Sequence, residues 1–414
     1  MKKNIKTTWR KVKLGEVVEI IDGDRGVNYP GNGEFFRNSY CLFLNAKNVC
    51  GTGFDFSDTQ FITKKKDDLL RSGKMQRGDF VLTTRGTIGN IAHYGKEIFY
   101  DHIRINSGMV ILRTKKDIIN EKFFYLFLIS QEFENQIEAL KSGSAQPQLP
   151  IRDLRFLEIN IPSLDEQEKI VKNLYPISDK IELNNKINQN LEQMARAIFK
   201  EWFINFKFPG HKKVKMIDSE LGKIPEGWEV VDAEKVFIFE KGVEPGSNSY
   251  SIAKKVNFVP FYRVKDLAGK NAYTDVFINK EVANNKICQY DDVLISFDGT
   301  VGRIKVGCSG AFSSGIRRVY PKDGFIRNSF IYFWLKTPYV QNTILEHSSG
   351  TTILHAGSSI DFLKISFNKE TINRFQKIAE PIFSKILETE KENQKLASLR
   401  DLLLPKLMSG EIRV

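Results

Sequence analysis

The chain is poor in the residues that carry most metal and nucleophile chemistry. Its 414 residues include only four cysteines, Cys41, Cys50, Cys288 and Cys308, and five histidines. No two cysteines form a CxxC pair and no histidine cluster accompanies them, which leaves no zinc spacing and predicts free thiols. His93, His102, His211, His347 and His355 form no metal or nucleophile constellation. A GxxxxGK[ST] segment is missing, so no Walker-type phosphate loop is expected. No run approaches the roughly 18 apolar residues that span a bilayer. The opening MKKNIKTTWRKVKLGE lacks the apolar core of a signal peptide. These absences predict a reduced, cytoplasmic protein with no membrane partner.

Positive charge is in excess. Lys and Arg number 62 against 50 Asp and Glu, a net charge of +12 and a sequence pI near 9.2. Such a balance fits a polyanionic partner, because each neutralised phosphate releases counterions. Hydrophobic residues make up 41% of the chain and 31 are Phe, enough apolar surface to offset chain entropy and exclude disorder. The length calls for two or three domains.

The sequence is written twice. Trp9-Arg-Lys-Val answers Trp228-Glu-Val-Val, and Asn45-Ala-Lys-Asn-Val answers Arg263-Val-Lys-Asp-Leu. The stretch Asp79-Phe-Val-Leu-Thr-Thr-Arg-Gly-Thr-Ile-Gly answers Asp292-Val-Leu-Ile-Ser-Phe-Asp-Gly-Thr-Val-Gly. Asn106-Ser-Gly-Met pairs with Ser313-Ser-Gly-Ile, Gly143 with Gly350, and Phe156-Leu-Glu-Ile with Phe362-Leu-Lys-Ile. Trp9 and Trp228 stand 219 apart, whereas Pro176 and Pro381 stand 205 apart. An offset that shrinks steadily is the mark of a duplication with small deletions, here of two whole modules rather than a solenoid. Each module opens with short β-type runs bounded by Gly and Asn and closes in a helical stretch. Gly86, Gly89, Gly299 and Gly302 sit where strands would turn, a backbone role that needs no further function.

From Asp165 to about Phe206, apolar residues recur in 4-3 alternation through Ile170, Leu174, Ile177, Ile181, Leu191, Ala195, Ile198 and Trp202, with Asn184 and Asn188 on the same stripe. From about Glu370 the pattern returns through Phe375, Ala379, Ile382, Ile386, Thr389, Asn393, Leu396 and Leu403, less regularly around Lys385 and Glu390. Sustained a/d spacing predicts a coiled-coil seam, with Ile181, Asn188, Leu191, Ile386, Asn393 and Leu396 on it. Antiparallel packing suits two helices separated by a full domain. Asn188 and Asn393 are expected to meet near the axis of the repeat, where buried Asn penalises wrong registers. Pro176 and Pro381 predict that each helix bends or begins there. An ordinary helical hairpin core would carry the same stripe. A helix of about 40 residues spans roughly 60 Å, against roughly 34–36 Å for one turn of B-DNA. Such a helix could hold two DNA-reading domains about a turn apart.

Several segments resemble the specificity subunits of type I restriction–modification systems. The first helix opens on Glu166-Gln-Glu-Lys-Ile after Ile161-Pro-Ser and ends Ala197-Ile-Phe-Lys-Glu-Trp-Phe-Ile-Asn-Phe. The second module opens Glu220-Leu-Gly-Lys-Ile-Pro-Glu-Gly-Trp, and the chain closes Leu399-Arg-Asp-Leu-Leu-Leu-Pro-Lys-Leu-Met-Ser-Gly-Glu-Ile. The resemblance covers essentially the full length and is most specific in the helical regions. It implies an α+β protein: two pseudo-repeated mixed α/β target-recognition domains separated by two long antiparallel coiled-coil helices. The expected boundaries are 1–161 for the first recognition domain, 162–207 for the first spacer helix, 208–367 for the second domain with its entry linker, and 368–414 for the second helix. It further implies a non-catalytic subunit that reads an asymmetric bipartite site in double-stranded DNA. Two methyltransferase subunits, which use S-adenosylmethionine, and the ATP- and Mg-dependent restriction and translocase subunits would be its partners. No Asn/Asp-Pro-Pro-Tyr/Phe segment of the adenine methyltransferase kind is present, which places base flipping on another chain.

Direct readout needs Arg or Lys for guanine and Asn or Gln for adenine, and phosphate contacts need Lys, Arg, Ser or Thr. Loops between matched strands suggest Lys47, Asn48, Lys64, Lys65, Arg85, Thr87, Arg104, Gln146 and Gln148 in the first module. In the second they suggest Arg263, Lys265, Asp298, Thr300, Arg303, Arg317 and Arg318. For some the plainer role is open: Lys64 and Lys65 suit a solvated turn, and Arg104 suits an internal ion pair. Arg85 is replaced by Asp298 in the repeat, and Asn48 by Asp266. Tips that diverge on a duplicated scaffold fit an asymmetric target, provided they face DNA. Two other classes compete. A self-contained restriction–modification enzyme would need a catalytic core not found here. A coiled-coil scaffold would leave the basic balance and the family-like segments unexplained.

Overall fold

A computed structural model of the chain describes residues 9–51, 53–142, 148–268, 274–350 and 354–413. The chain forms two compact units, Met1–Glu182 with Leu396–Val414, and Leu183–Lys395.

In the first unit a four-stranded antiparallel sheet runs in the order Val18–Asp22, Met109–Thr114, Phe80–Thr83, Ile91–His93. Its strands are apolar on both faces, because both are covered. Phe80, Leu82, Val110 and Leu112 pack on the helix Glu121–Leu128, whose Phe123, Phe124 and Phe127 are buried. Val81 and Ile111 point the other way, onto Leu42, Leu44, Ile103 and Ile105 of a smaller sheet. In that sheet Cys41–Leu44 pairs parallel with Ile103–Ile105 and antiparallel with Phe61–Ile62. Asn120 caps the first helix through the N–H groups of Lys122 and Phe123, at 2.9 and 3.2 Å. Ser130 caps the second, Gln131–Leu140.

The second unit repeats this plan, its main sheet strand for strand and its smaller sheet with a fourth strand, Ile287–Cys288. Its main sheet runs Phe237–Lys241, Ile316–Pro321, Val293–Ser296, Ile304–Lys305. In its smaller sheet Phe258–Tyr262 is parallel to Gly310–Phe312. The helix Asn328–Leu335 buries Phe330, Phe333 and Trp334 against Val293, Ile295 and Val319, and Pro338–Glu346 follows with Thr337 as its cap. A two-stranded ribbon closes each unit, Arg10–Lys13 with Glu158–Ile161 and Glu229–Asp232 with Lys364–Phe367.

Each ribbon leads into a long helix, Leu164–Phe199 and Lys369–Met408. The first continues unbroken through Pro176 and ends in a π-helical turn, Lys200–Ile204. Both prolines therefore lie inside helices that begin about a dozen residues earlier. A buried glutamine docks each helix on its own unit. Gln167 accepts from the Asn120 N–H at 2.8 Å and donates to the Ile118 and Pro162 carbonyls. Gln376 accepts from the Arg327 N–H at 2.7 Å and donates to the Phe325 carbonyl.

In the second unit the helices pair antiparallel. Asn184 Nδ2 donates to Asn393 Oδ1 at 2.8 Å, Asn188 Nδ2 to Glu390 Oε1 at 3.1 Å, and Phe199 packs edge-on to Phe375. Two expectations are corrected. Asn393 bonds Asn184 and Asn185, not Asn188, whose partner is Glu390. The buried line also moves one residue off the strict heptad: Phe199, Phe203, Phe383, Ala397 and Leu404 are buried where Ile198, Trp202, Ile382, Leu396 and Leu403 are expected. An α-helix of 3.6 residues per turn drifts about 20° per heptad against a 3.5 repeat, and on the first helix the π turn contains Phe203. Ile386 is buried as expected, and Leu191 is partly buried against the same core. Ile181 is half-buried.

Candidate nucleic-acid interface

The exposed turn that follows the third strand of each main sheet is built by the same bonds in both units. In the first, the Thr83 hydroxyl donates to the Thr87 carbonyl and accepts from the Asn90 N–H at 3.0 Å. In the second, the Ser296 hydroxyl donates to the Thr300 carbonyl at 2.6 Å and accepts from the Arg303 N–H at 2.9 Å. The Gly108 carbonyl takes the N–H groups of Thr84 and Arg85, and the Gly315 carbonyl those of Phe297 and Asp298. Gly86 and Gly299 take φ of 71° and 72°, Gly89 and Gly302 of 92° and 80°, values that suit residues without a Cβ.

A second strand lies against each tip. Arg85 bridges to Gln148, with the Leu149 N–H on the Thr84 carbonyl at 3.0 Å. Asp298 pairs with His355, with the Ala356 N–H on the Phe297 carbonyl at 2.8 Å. Arg85, Thr87, Gln148 and Thr300 are exposed. His355 Nδ1 lies 2.8 Å from Asp298 Oδ1, and its side chain is 62% exposed. The sequence thus anticipates Arg85, Thr87, Gln148, Asp298 and Thr300, and the structure gathers them into two matching tips. His355 was missed. The signal was present, since carrying the Gly143 to Gly350 match five residues on sets Gln148 opposite His355.

The other expected contacts scatter. Arg104 is buried, its guanidinium on the Asp67 carboxylate and the carbonyls of Asp67, Leu70 and Ser72. Asn48 is buried too, donating to the carbonyls of Asp55 and Asp58 and accepting from the Asn45 N–H. Both are corrected to internal braces, because their polar groups are already satisfied away from solvent. Lys47 pairs with Asp58, and Lys64 with Asp68 at 2.7 Å, both at exposed positions; Lys65 and Lys265 are exposed. Arg263 forks onto Asp266 and reaches Asp275. Arg318 is held by Glu240 and Asp292. Burial lowers the guanidinium pKa of Arg303 and of Arg317, the latter partly offset by Asp298. Gln146 lies outside the described residues.

Among the described residues no three His, Cys, Asp or Glu gather as a metal site, and no helix is long and apolar enough to cross a membrane. Residues 6–193 and 225–399 each match the type I restriction modification DNA specificity domain. The chain belongs to the type I restriction–modification specificity family.

Curated specificity subunits match along most of its length. The type I restriction enzyme MjaIX specificity subunit of Methanocaldococcus jannaschii is 30% identical over 353 residues, 82% of this chain and 78% of that one. The HindI specificity subunit of Haemophilus influenzae is 27% identical over 98% of this chain and 99% of its own. A crystal structure of the type I S subunit of M. genitalium aligns over 98% of both chains at 18% identity, with a TM-score of 0.46. This is therefore a specificity subunit, a non-catalytic component of its system, with two target-recognition domains. Each domain carries one of the two tips.

Proposed function

We propose that this specificity subunit reads an asymmetric, two-part site in double-stranded DNA, one part with each target-recognition domain. Its long helices set the run of unread base pairs between the parts and dock two methyltransferase subunits, which restriction and translocase subunits join. The observation that carries this reading is the duplicated tip, closed by matching backbone bonds and different in side chains. A symmetric target would be served by identical tips, whereas Arg85 with Gln148 and Asp298 with His355 offer different hydrogen-bonding faces. The excess of basic residues supports a polyanion, and a 36-residue helix, roughly 54 Å long, exceeds one turn of DNA.

Methylation mapping tests it, in cells that carry this gene and its methyltransferase gene against cells that lack it. The expected result is a new two-part N6-methyladenine motif, lost when either recognition domain is deleted. Adding a heptad after Leu191 should change the gap and leave both parts intact. A methyltransferase-competent cell with no new motif refutes the reading.

A further inference from the structure

We infer that Asp298 and His355 form the base-reading pair of the second target-recognition domain, and that the pair accepts a hydrogen bond from an exocyclic amino group in the major groove. The inference rests on the DNA-reading role proposed above and goes further by assigning residues and chemistry to one half-site.

The geometry orients the ring. A carboxylate only accepts, so the 2.8 Å contact between His355 Nδ1 and Asp298 Oδ1 places the proton on Nδ1. In the neutral ring Nε2 then remains as an acceptor. The backbone fixes the rest. His355 exchanges N–H and carbonyl bonds with Ser349, at 2.8 and 2.9 Å, and the following N–H is tied to Phe297. The imidazole is thus held at both its main chain and its inner nitrogen while 62% of its side chain stays exposed.

A purely structural staple would gain by burying that ring. The partly exposed Asp298 carboxylate would also repel phosphate, so a backbone-tracking role is disfavoured. What suits two adjacent acceptors is the amino hydrogen of cytosine N4 or adenine N6, a pairing open to carboxylates in the major groove. The matching tip of the first domain presents Arg85, which can only donate and suits the O6 and N7 acceptors of guanine. Thr87 and Thr300 stand at equivalent exposed places and do not distinguish the halves.

The test uses the full subunit with its methyltransferase subunits and a library of duplexes randomised within each half-site, read for methylation at every position. In Asp298→Arg with His355→Gln, the first tip is copied onto the second scaffold. The expected outcome is a changed preference, on the order of tenfold, at one base pair of the second half and none in the first. A preference unchanged at every position, or methylation by the folded variant lowered evenly across both halves as a phosphate contact would give, overturns the inference. If the double variant does not fold, Asp298→Asn, which keeps size and the bond to His355, is judged by the same readout. A wild-type complex that methylates no motif removes the underlying DNA-reading proposal as well. A wild-type motif with insensitive tips removes only this assignment.

Discussion

Replacing Arg104 by Met separates internal bracing from DNA contact at a residue that sequence alone suggests for the latter. Arg104 and Asp67 are 8% and 6% exposed at their side chains, and the guanidinium also holds three backbone carbonyls. Removing one partner of a buried pair costs roughly 3–5 kcal/mol. Asp67 retains Lys74, so about 3 kcal/mol is expected. For a unit of this size that is a fall of roughly 10 °C in melting temperature. The acid limb carries a second signature. Burial raises the Asp67 pKa, but the bonds from Lys74 and Arg104 outweigh it and leave a net lowering. A carboxyl lowered in the folded state stabilises fully above its unfolded value near 4, and the gain is lost as pH falls through the folded value. The gap between wild type and Arg104→Met should therefore narrow in acid. Thermal melts of both proteins from pH 7 down to 3, followed by circular dichroism, measure both effects. A variant that melts with wild type yet changes base preference would falsify the bracing role and return Arg104 to the interface.

Asn393→Leu removes the acceptor of Asn184 and a donor to Asn185, and should cost about 1–3 kcal/mol by urea denaturation; unaltered stability would contradict a specific polar layer. Combining it with Asn184→Leu should restore stability while loosening register. Burial pushes the thiols of Cys41, Cys288 and Cys308 up to about 12 each, whereas Cys50 is partly exposed. Iodoacetamide at pH 8 should label Cys50 first in the native protein, since the thiolate is the nucleophile, and equal labelling of Cys288 would refute the burial. Gly86→Ala should cost only about 1–2 kcal/mol of left-handed backbone strain, because nothing lies within 4 Å of the added carbon. Gly23→Ala and Gly242→Ala should be far worse, their Cβ atoms falling 2.2 and 2.1 Å from the backbone oxygens of Asn106 and Phe312, with stability in urea as the readout.

The duplication was legible because it is a property of order and spacing, and the main sheets of the two units answer it strand for strand. The helices were legible as well, since a stripe of apolar residues leaves few other solutions. Their seam was only partly so. A heptad read in whole residues cannot follow the drift of a real helix, and this displaced Leu396 in favour of Ala397. The Asn188 to Asn393 pairing failed for a related reason, because sequence equivalence does not fix antiparallel register to within a turn. The interface divided along another line. Residues on the repeated turns could be aligned in sequence, and the structure brings them to matching turns. Arg104 and Asn48 could not be assigned from charge or polarity, because their partners lie 37 and up to 10 residues away and only the fold brings them inside.

The hydroxyl clamps of Thr83 and Ser296 spend their bonds wholly within the turn, as do the Gly108 and Gly315 carbonyls behind them. The side chains at positions 85, 148, 298 and 355 take no part in those hydroxyl and carbonyl bonds. If the tips read DNA as proposed, a protein arranged this way alters what it recognises without renegotiating how it folds. Each change at a tip is then a change of vocabulary on an unchanged grammar, and one half can be respelled while the other keeps its old meaning.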